Sequence, residues 1–175
     1  MSRELLLLGL LRRWGTHGYQ LMDFLDTHLA FLADLKKPTA YALLERLRRA
    51  GHVSVSTERA GNRPERRVYQ LTPAGAAHFQ HLLRANLQAF APPRFPDATG
   101  LYFLDALPAD EAKTLLQERL AAIDRCLAEF RPKVAEHQGL AVHPVLDHYV
   151  VHLEADRTWL AGFLGREVIQ PGRRR

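Results

Sequence analysis

Along the first half of the chain apolar positions recur every three or four residues, then every second residue, then every three or four again. This predicts helices interrupted by one short pair of strands. Leu5–Leu8, Leu10 and Leu11 are apolar almost all round, with Ser2 placed to cap them. Such a helix packs on two sides, one facing its own domain and the other open to a second subunit. Gly15-Thr16-His17-Gly18 breaks the pattern, and Thr16 heads a second helix through Tyr19, Leu21, Met22, Leu25 and Leu29. His28 to Leu35 has no clear period. From Lys36 to Gly51 a third helix buries one stripe, Tyr41 or Ala40 with Leu43, Leu44 and Leu47. Its other face carries Lys36, Lys37, Arg46, Arg48 and Arg49 against the single acid Glu45. Pro38 suits a first helical turn, and Gly51 suits the left-handed residue that ends one.

After Gly51 the period becomes two. Val53 and Val55 alternate with Ser54, Ser56 and Thr57, and Val68, Tyr69 and Leu71 form a second run. Between them Arg59 to Arg67 holds the Gly, Asn and Pro of a turn, so a β-hairpin with a basic tip is expected. Thr72 before Pro73 starts another helix, through Phe79, Leu82, Leu83 and Leu87. Pro92, Pro93, Pro96 and Gly100 then mark a boundary. Beyond it Leu101 to Leu107 reads as a short apolar helix. A longer helix after Pro108 places Ala112, Leu116, Leu120, Ile123, Leu127, Phe130 and Val134 on a coiled-coil seam, which Pro132 should kink or end. A last helix from about Pro144 to Gly165 offers Leu146, Tyr149, Leu153, Leu160, Phe163 and Leu164. Two such stripes in so short a segment favour pairing with a second chain.

The composition, 47% hydrophobic and 25% charged over 175 residues, permits a packed core and argues against disorder. The net charge of +5 favours a polyanionic partner. Its location is more informative than its size. From Lys36 to Arg67 there are nine basic residues against three acids, an excess of six that covers the whole surplus. Cys126 is the single cysteine, so no internal disulfide or cysteine-based zinc finger forms, and a reducing cytoplasmic setting fits. The run Leu5 to Leu11 falls far short of the ~20 residues of a spanning helix. It also lacks the small cleavage-site residues of a signal peptide, since Arg12, Arg13 and Trp14 follow it. No membrane is expected.

Helix, helix, basic helix, hairpin is the winged helix-turn-helix order, in which the third helix enters a major groove about 12 Å wide and the wing reaches beside it. The chain also resembles the PadR-type transcriptional regulators in four stretches: LLLLGLL (5–11), GTHGYQLMDFL (15–25), PTAYALLERLRRAGHV (38–53) and GNRPERRVYQLTPAGAAHF (61–79). The resemblance implies that Thr39-Ala40-Tyr41 is the Thr-x-Tyr unit opening the recognition helix. It likewise implies that Gly61-Asn62-Arg63-Pro64 leads a wing ending in Tyr69-x-Leu71-Thr72, and that the C-terminal helices dimerise. Glu154 to Leu164 with Trp159 looks like the end of the longer-tailed members. One departure is Lys37-Pro38, where many relatives place smaller residues before the threonine.

The expected fold is mainly α with a small β-hairpin: an N-terminal winged helix-turn-helix domain over residues 1–90, then a helical dimerisation domain over 91–175. The expected DNA-binding residues are Lys36, Lys37, Thr39, Tyr41, Asn62, Arg63, Arg66 and Arg67. Thr39 and Tyr41 hydroxyls can donate to phosphates or base edges, Lys36 and Lys37 add backbone attraction, Arg63 suits a minor groove, and Arg66 and Arg67 suit phosphates. Taken alone, Lys37, Thr39 and Tyr41 are better read as a solvated helix start; the neighbouring hairpin turns the reading toward DNA contact. Arg46, Arg48 and Arg49 face either solvent or Glu45. His148 and His152, one turn apart and near His143 and Asp147, have a metal-compatible spacing but no HExxH or Cys/His pattern, and an exposed helix face explains them as well. Cys126 on the seam-bearing helix reads as a packing residue. With no phosphate loop, GxSxG elbow or paired carboxylates, no enzyme, cofactor or metal is expected. The expected partners are double-stranded DNA, a second copy and a small-molecule effector. Aromatic residues that suit an effector pocket are Trp14, Tyr102, Phe103 and Trp159, although aromatics are more often core. The alternative is a winged module that docks an acidic protein partner.

Overall fold

The computed structural model describes residues 3–14, 21, 23–24, 35–58, 66–93, 95 and 98–166, which fall into two units, Met1–Pro92 and Pro93–Arg175. The elements are α1 (Arg3–Trp14), α2 (Lys37–Arg49), β1 (Val53–Glu58), β2 (Arg66–Leu71), α3 (Pro73–Gln88), α4 (Thr99–Tyr102), α5 (Ala109–Glu136) and α6 (His143–Leu164). The described residues are therefore mainly helical, with one antiparallel two-stranded hairpin among them.

In the first unit Leu7, Leu8, Leu10 and Leu11 of α1 are all buried, with Leu21, Leu35, Ala40, Leu43, Leu44, Leu47, Val53 and Tyr69. The all-round apolar pattern of α1 is thus largely absorbed within this unit, where α1 meets α2, β2 and α3. Only Leu5, Leu6 and Gly9 of its apolar run stay half-buried, so α1 leaves less for a second subunit than its composition suggested. At Gly9 a Cβ would stand 3.1 Å from the Phe79 ring, so the missing side chain is what lets α1 approach α3. The expected second helix lies mostly outside the described residues; Leu21 is buried and Phe24 packs against the core.

The stripe of α2 resolves in favour of Ala40. It is buried with Leu43, Leu44 and Leu47, while Tyr41 is exposed. The helix ends as its sequence requires. His52 N–H donates to the Leu47 carbonyl at 2.9 Å and Gly51 N–H to Arg48 at 3.0 Å. Gly51 at φ +75° makes that reversal possible. The hairpin pairs Val53 with Leu71, Val55 with Tyr69 and Thr57 with Arg67. α3 starts at once after β2, with Thr72 as cap and Pro73 in the first turn.

In the second unit α5 and α6 pack antiparallel: Arg131 meets Glu154 at 2.8 Å, Arg157 meets Asp124 at 2.6 Å, and the Phe130 and Tyr149 rings touch edge to face. Leu116 and Leu127 of α5 and Leu146, Val150 and Leu160 of α6 are buried. The two stripes therefore cover each other in part within one chain. Two expectations change here. Leu101 to Leu107 is not one helix: after α4, Phe103 leaves helical geometry and a 3₁₀ turn follows at Leu104–Ala106. Pro132 does not end α5, which runs 28 residues to Glu136. Proline there forfeits one backbone bond, to the carbonyl of Ala128, and the packing of α5 on α6 carries the helix through. Cys126 is a free, half-buried thiol on that helix.

Candidate nucleic-acid interface

The two halves of α2 differ in charge chemistry. The first turn holds no acid, and the N-cap Lys36 offers no side-chain cap. The positive end of the helix dipole therefore adds to the Lys36 and Lys37 charges in attracting an anion. Lys36, Lys37 and Thr39 are exposed, and Tyr41, 42% exposed, flanks the buried stripe. The four sequence-predicted residues of this helix thus stand together on one accessible end.

The second half is tied to acids. Arg48 places Nε and Nη2 on the two Glu45 oxygens, each at 2.8 Å, and Arg49 Nε adds a contact at 3.1 Å. The hydrogen bonds from Arg48 and then Arg49 hold the Glu45 carboxyl well below the ordinary range, at about 2. Arg46 reaches Glu4 at 2.6 Å and so links α2 to α1. The choice between solvent and Glu45 that sequence left open is settled by spacing for Arg48 and Arg49, which follow Glu45 by three and four residues. For Arg46 it is settled by a partner 42 residues away, which no local pattern indicates.

Between α2 and the hairpin lies a cleft of about 730 Å³, with Glu45, Arg48 and Arg49 on one side and Val55, Arg67 and Tyr69 on the other. Arg67 is exposed there. Arg66 opposes Glu58 in the register, but its side chain, like Asn62 and Arg63, lies outside the described residues. Sequence inspection did not anticipate this cleft, because it arises from how the hairpin turns back beside α2.

The aromatic effector candidates do not converge. Tyr102 is 82% exposed, Phe103 and Trp159 are also exposed rather than core, and Trp159 stacks on Phe163; the side chain of Trp14 lies outside the described residues. A small cavity of about 170 Å³ in the second unit is lined instead by Leu101, Leu104, Leu115, Leu116 and Arg119. No described helix is long and apolar enough to cross a membrane.

Residues 7–81 match the transcriptional regulator PadR-like family. The chain is 24% identical over 154 residues to the negative transcriptional regulator PadR of Bacillus subtilis, covering 85% of each. The solved structure of Bacillus subtilis PadR in complex with operator DNA has a TM-score of 0.80 at 20% identity, over 93% of this chain and 97% of that one. The complex of the same protein with p-coumaric acid has a TM-score of 0.78 at 19% identity, over 93% and 96%. The two structures share the fold of this chain.

Proposed function

The chain belongs, through residues 7–81, to the transcriptional regulator PadR-like family, and from that premise we propose that it is a homodimeric, sequence-specific repressor relieved by a small molecule. The family is one of regulators, not enzymes. The observation that carries the reading is the acid-free, exposed start of α2, on a helix that leads at its other end into the hairpin that holds Arg67.

In this proposal the first turn of α2 enters a major groove. Thr39 and Tyr41 donate to base edges or phosphates, and Lys36 and Lys37 neutralise backbone charge. Arg66 and Arg67 hold phosphates along the wing, and Asn62 and Arg63 at its tip meet the neighbouring minor groove. Repression then needs only occupancy. A second copy would cover apolar surface that the α5–α6 pair leaves exposed, such as Val151 and Trp159, and would place two recognition helices on half-sites about one turn apart. An effector acts by favouring a dimer geometry that no longer fits that spacing. The repressor and effector assignments draw support from Bacillus subtilis PadR, a negative regulator with solved complexes of operator DNA and p-coumaric acid.

Footprinting on the DNA upstream of the protein's own gene tests this. The expected result is a near-palindromic pair of protected half-sites. No protection at moderate salt, together with specific recovery of an acidic protein in a pull-down, would replace the proposal with the protein-docking alternative.

A further inference from the structure

On α6 the rings of His148 and His152 meet. Their Nε2 atoms are 3.2 Å apart, the ring centroids 4.5 Å apart and the ring planes inclined at 72°. Both side chains are exposed. Two neutral imidazoles in this arrangement share one proton, with one Nε2 donating and the other accepting. The separation also suits a metal ion. With metal–nitrogen bonds of about 2.0–2.1 Å, two adjacent ligands on one octahedral or tetrahedral ion stand roughly 2.8–3.4 Å apart. The pair is therefore already at the bite of a single ion, a fact that one-turn spacing alone does not give, since exposed histidines adopt many rotamers.

The helix beneath is held firmly. Leu146, Val150 and Leu160 are buried on its other face, and Glu154 and Arg157 are bonded to α5 on either side of the packing seam. Only side-chain rotation remains to be ordered when an ion binds.

We propose that His148 and His152 form a bidentate site for a divalent ion of the borderline class, Zn²⁺, Ni²⁺ or Cu²⁺, for which imidazole is a suitable ligand. Each ring binds through the Nε2 lone pair. The ring that carried its proton on Nε2 moves it to Nδ1 through solvent, so the neutral pair releases no net proton. Among the described residues no third His, Cys, Asp or Glu joins them, His143 and Asp147 included. Water fills the ion's other positions, which makes this an open site and not the closed four-ligand cage of a structural zinc. The proposal stands on the geometry of α6 and is independent of the DNA-binding reading.

Calorimetric titration of the full-length, untagged chain with Zn²⁺ tests it against His148→Ala, His152→Ala and the double variant. One ion per chain is expected, with each single substitution weakening binding at least about ten-fold, the lower end of what even an outer-shell partner is worth. Circular dichroism should stay unchanged because both residues are exposed. Equal affinity in wild type and double variant would overturn the assignment. A second measurement needs no variant. On addition of substoichiometric Cu²⁺ the two imidazole signals that broaden first should belong to His148 and His152; first broadening at other histidines would equally overturn it.

Discussion

The hydroxyl of Thr72 donates to the carbonyl oxygen of Gly51 at 2.7 Å. The Thr72 hydroxyl oxygen in turn accepts the backbone N–H of Gly75 at 3.0 Å. One side chain therefore joins the reversal that ends α2 to the start of α3, and with it fixes where the hairpin leaves α2. Thr72→Ala should lower stability by about 1–2 kcal/mol in urea unfolding, from the lost cap and the weakened anchor. Thr72→Ser, which keeps both bonds, should stay within about 0.5 kcal/mol of the parent. Equal losses in the two variants would remove the hydroxyl from this role.

Two glycines flank that junction for different reasons. Gly51 needs its positive φ but has open space around it, so Gly51→Ala should cost only about 1 kcal/mol of backbone strain. At Gly75 a Cβ would stand 1.9 Å from the His52 carbonyl oxygen. Gly75→Ala must push α3 away from the strand and should cost more, about 1–3 kcal/mol. Thermal unfolding of the two variants orders them, and the reverse order would contradict the geometry.

Leu44 and Tyr41 lie one turn apart on α2, Leu44 fully buried within the core stripe and Tyr41 exposed at its edge. Leu44→Ala should destabilise the protein by about 2–5 kcal/mol. Tyr41→Ala should change stability by less than about 0.5 kcal/mol, yet weaken DNA binding several-fold in a gel shift. A Tyr41 variant that unfolds, or one that binds DNA normally, would show this face to be misassigned.

Glu45 gives a prediction in pH. Its carboxyl lies at about 2 in the folded protein against an ordinary 4.5, because Arg48 and Arg49 bond the ionised form. The folded pKa is depressed, so the contribution to stability is fully present above about 4.5 and is lost as pH falls toward 2. Carbon-13 NMR of the side-chain carboxyl should show it still ionised at pH 3.5, and Arg48→Ala should move the midpoint upward. An ordinary midpoint in the parent would mean that the fork does not persist in solution.

Much of the first unit was legible because local chemistry and packing agree there. The spacing of Leu43, Leu44 and Leu47 marks the core face of α2, Gly51 its end, and Thr72-Pro73 the start of α3. What escaped notice was non-local or decided by packing. Arg46 finds Glu4 across the fold, α5 runs through Pro132 because α6 supports it, and Leu101 to Leu107 breaks at Phe103 despite its apolar pattern. At the candidate interface the sequence places the cations on α2, leaves its start free of acids and sets Arg48 and Arg49 at pairing distance from Glu45. The pairing of Arg46 with Glu4 and the cleft beside Arg67 follow from the fold.

In the proposed complex the α2 and wing cations face DNA phosphates. The most direct test is fluorescence anisotropy with a fragment from upstream of the protein's own gene, titrated across salt concentration. Binding should weaken linearly on a log–log plot, by about 0.9 for each phosphate contacted, and Lys36→Glu with Lys37→Glu should make the slope shallower while light scattering still reports a dimer. Affinity that stays flat from low to high salt, or a slope unchanged in the charge-reversed variant, would contradict it.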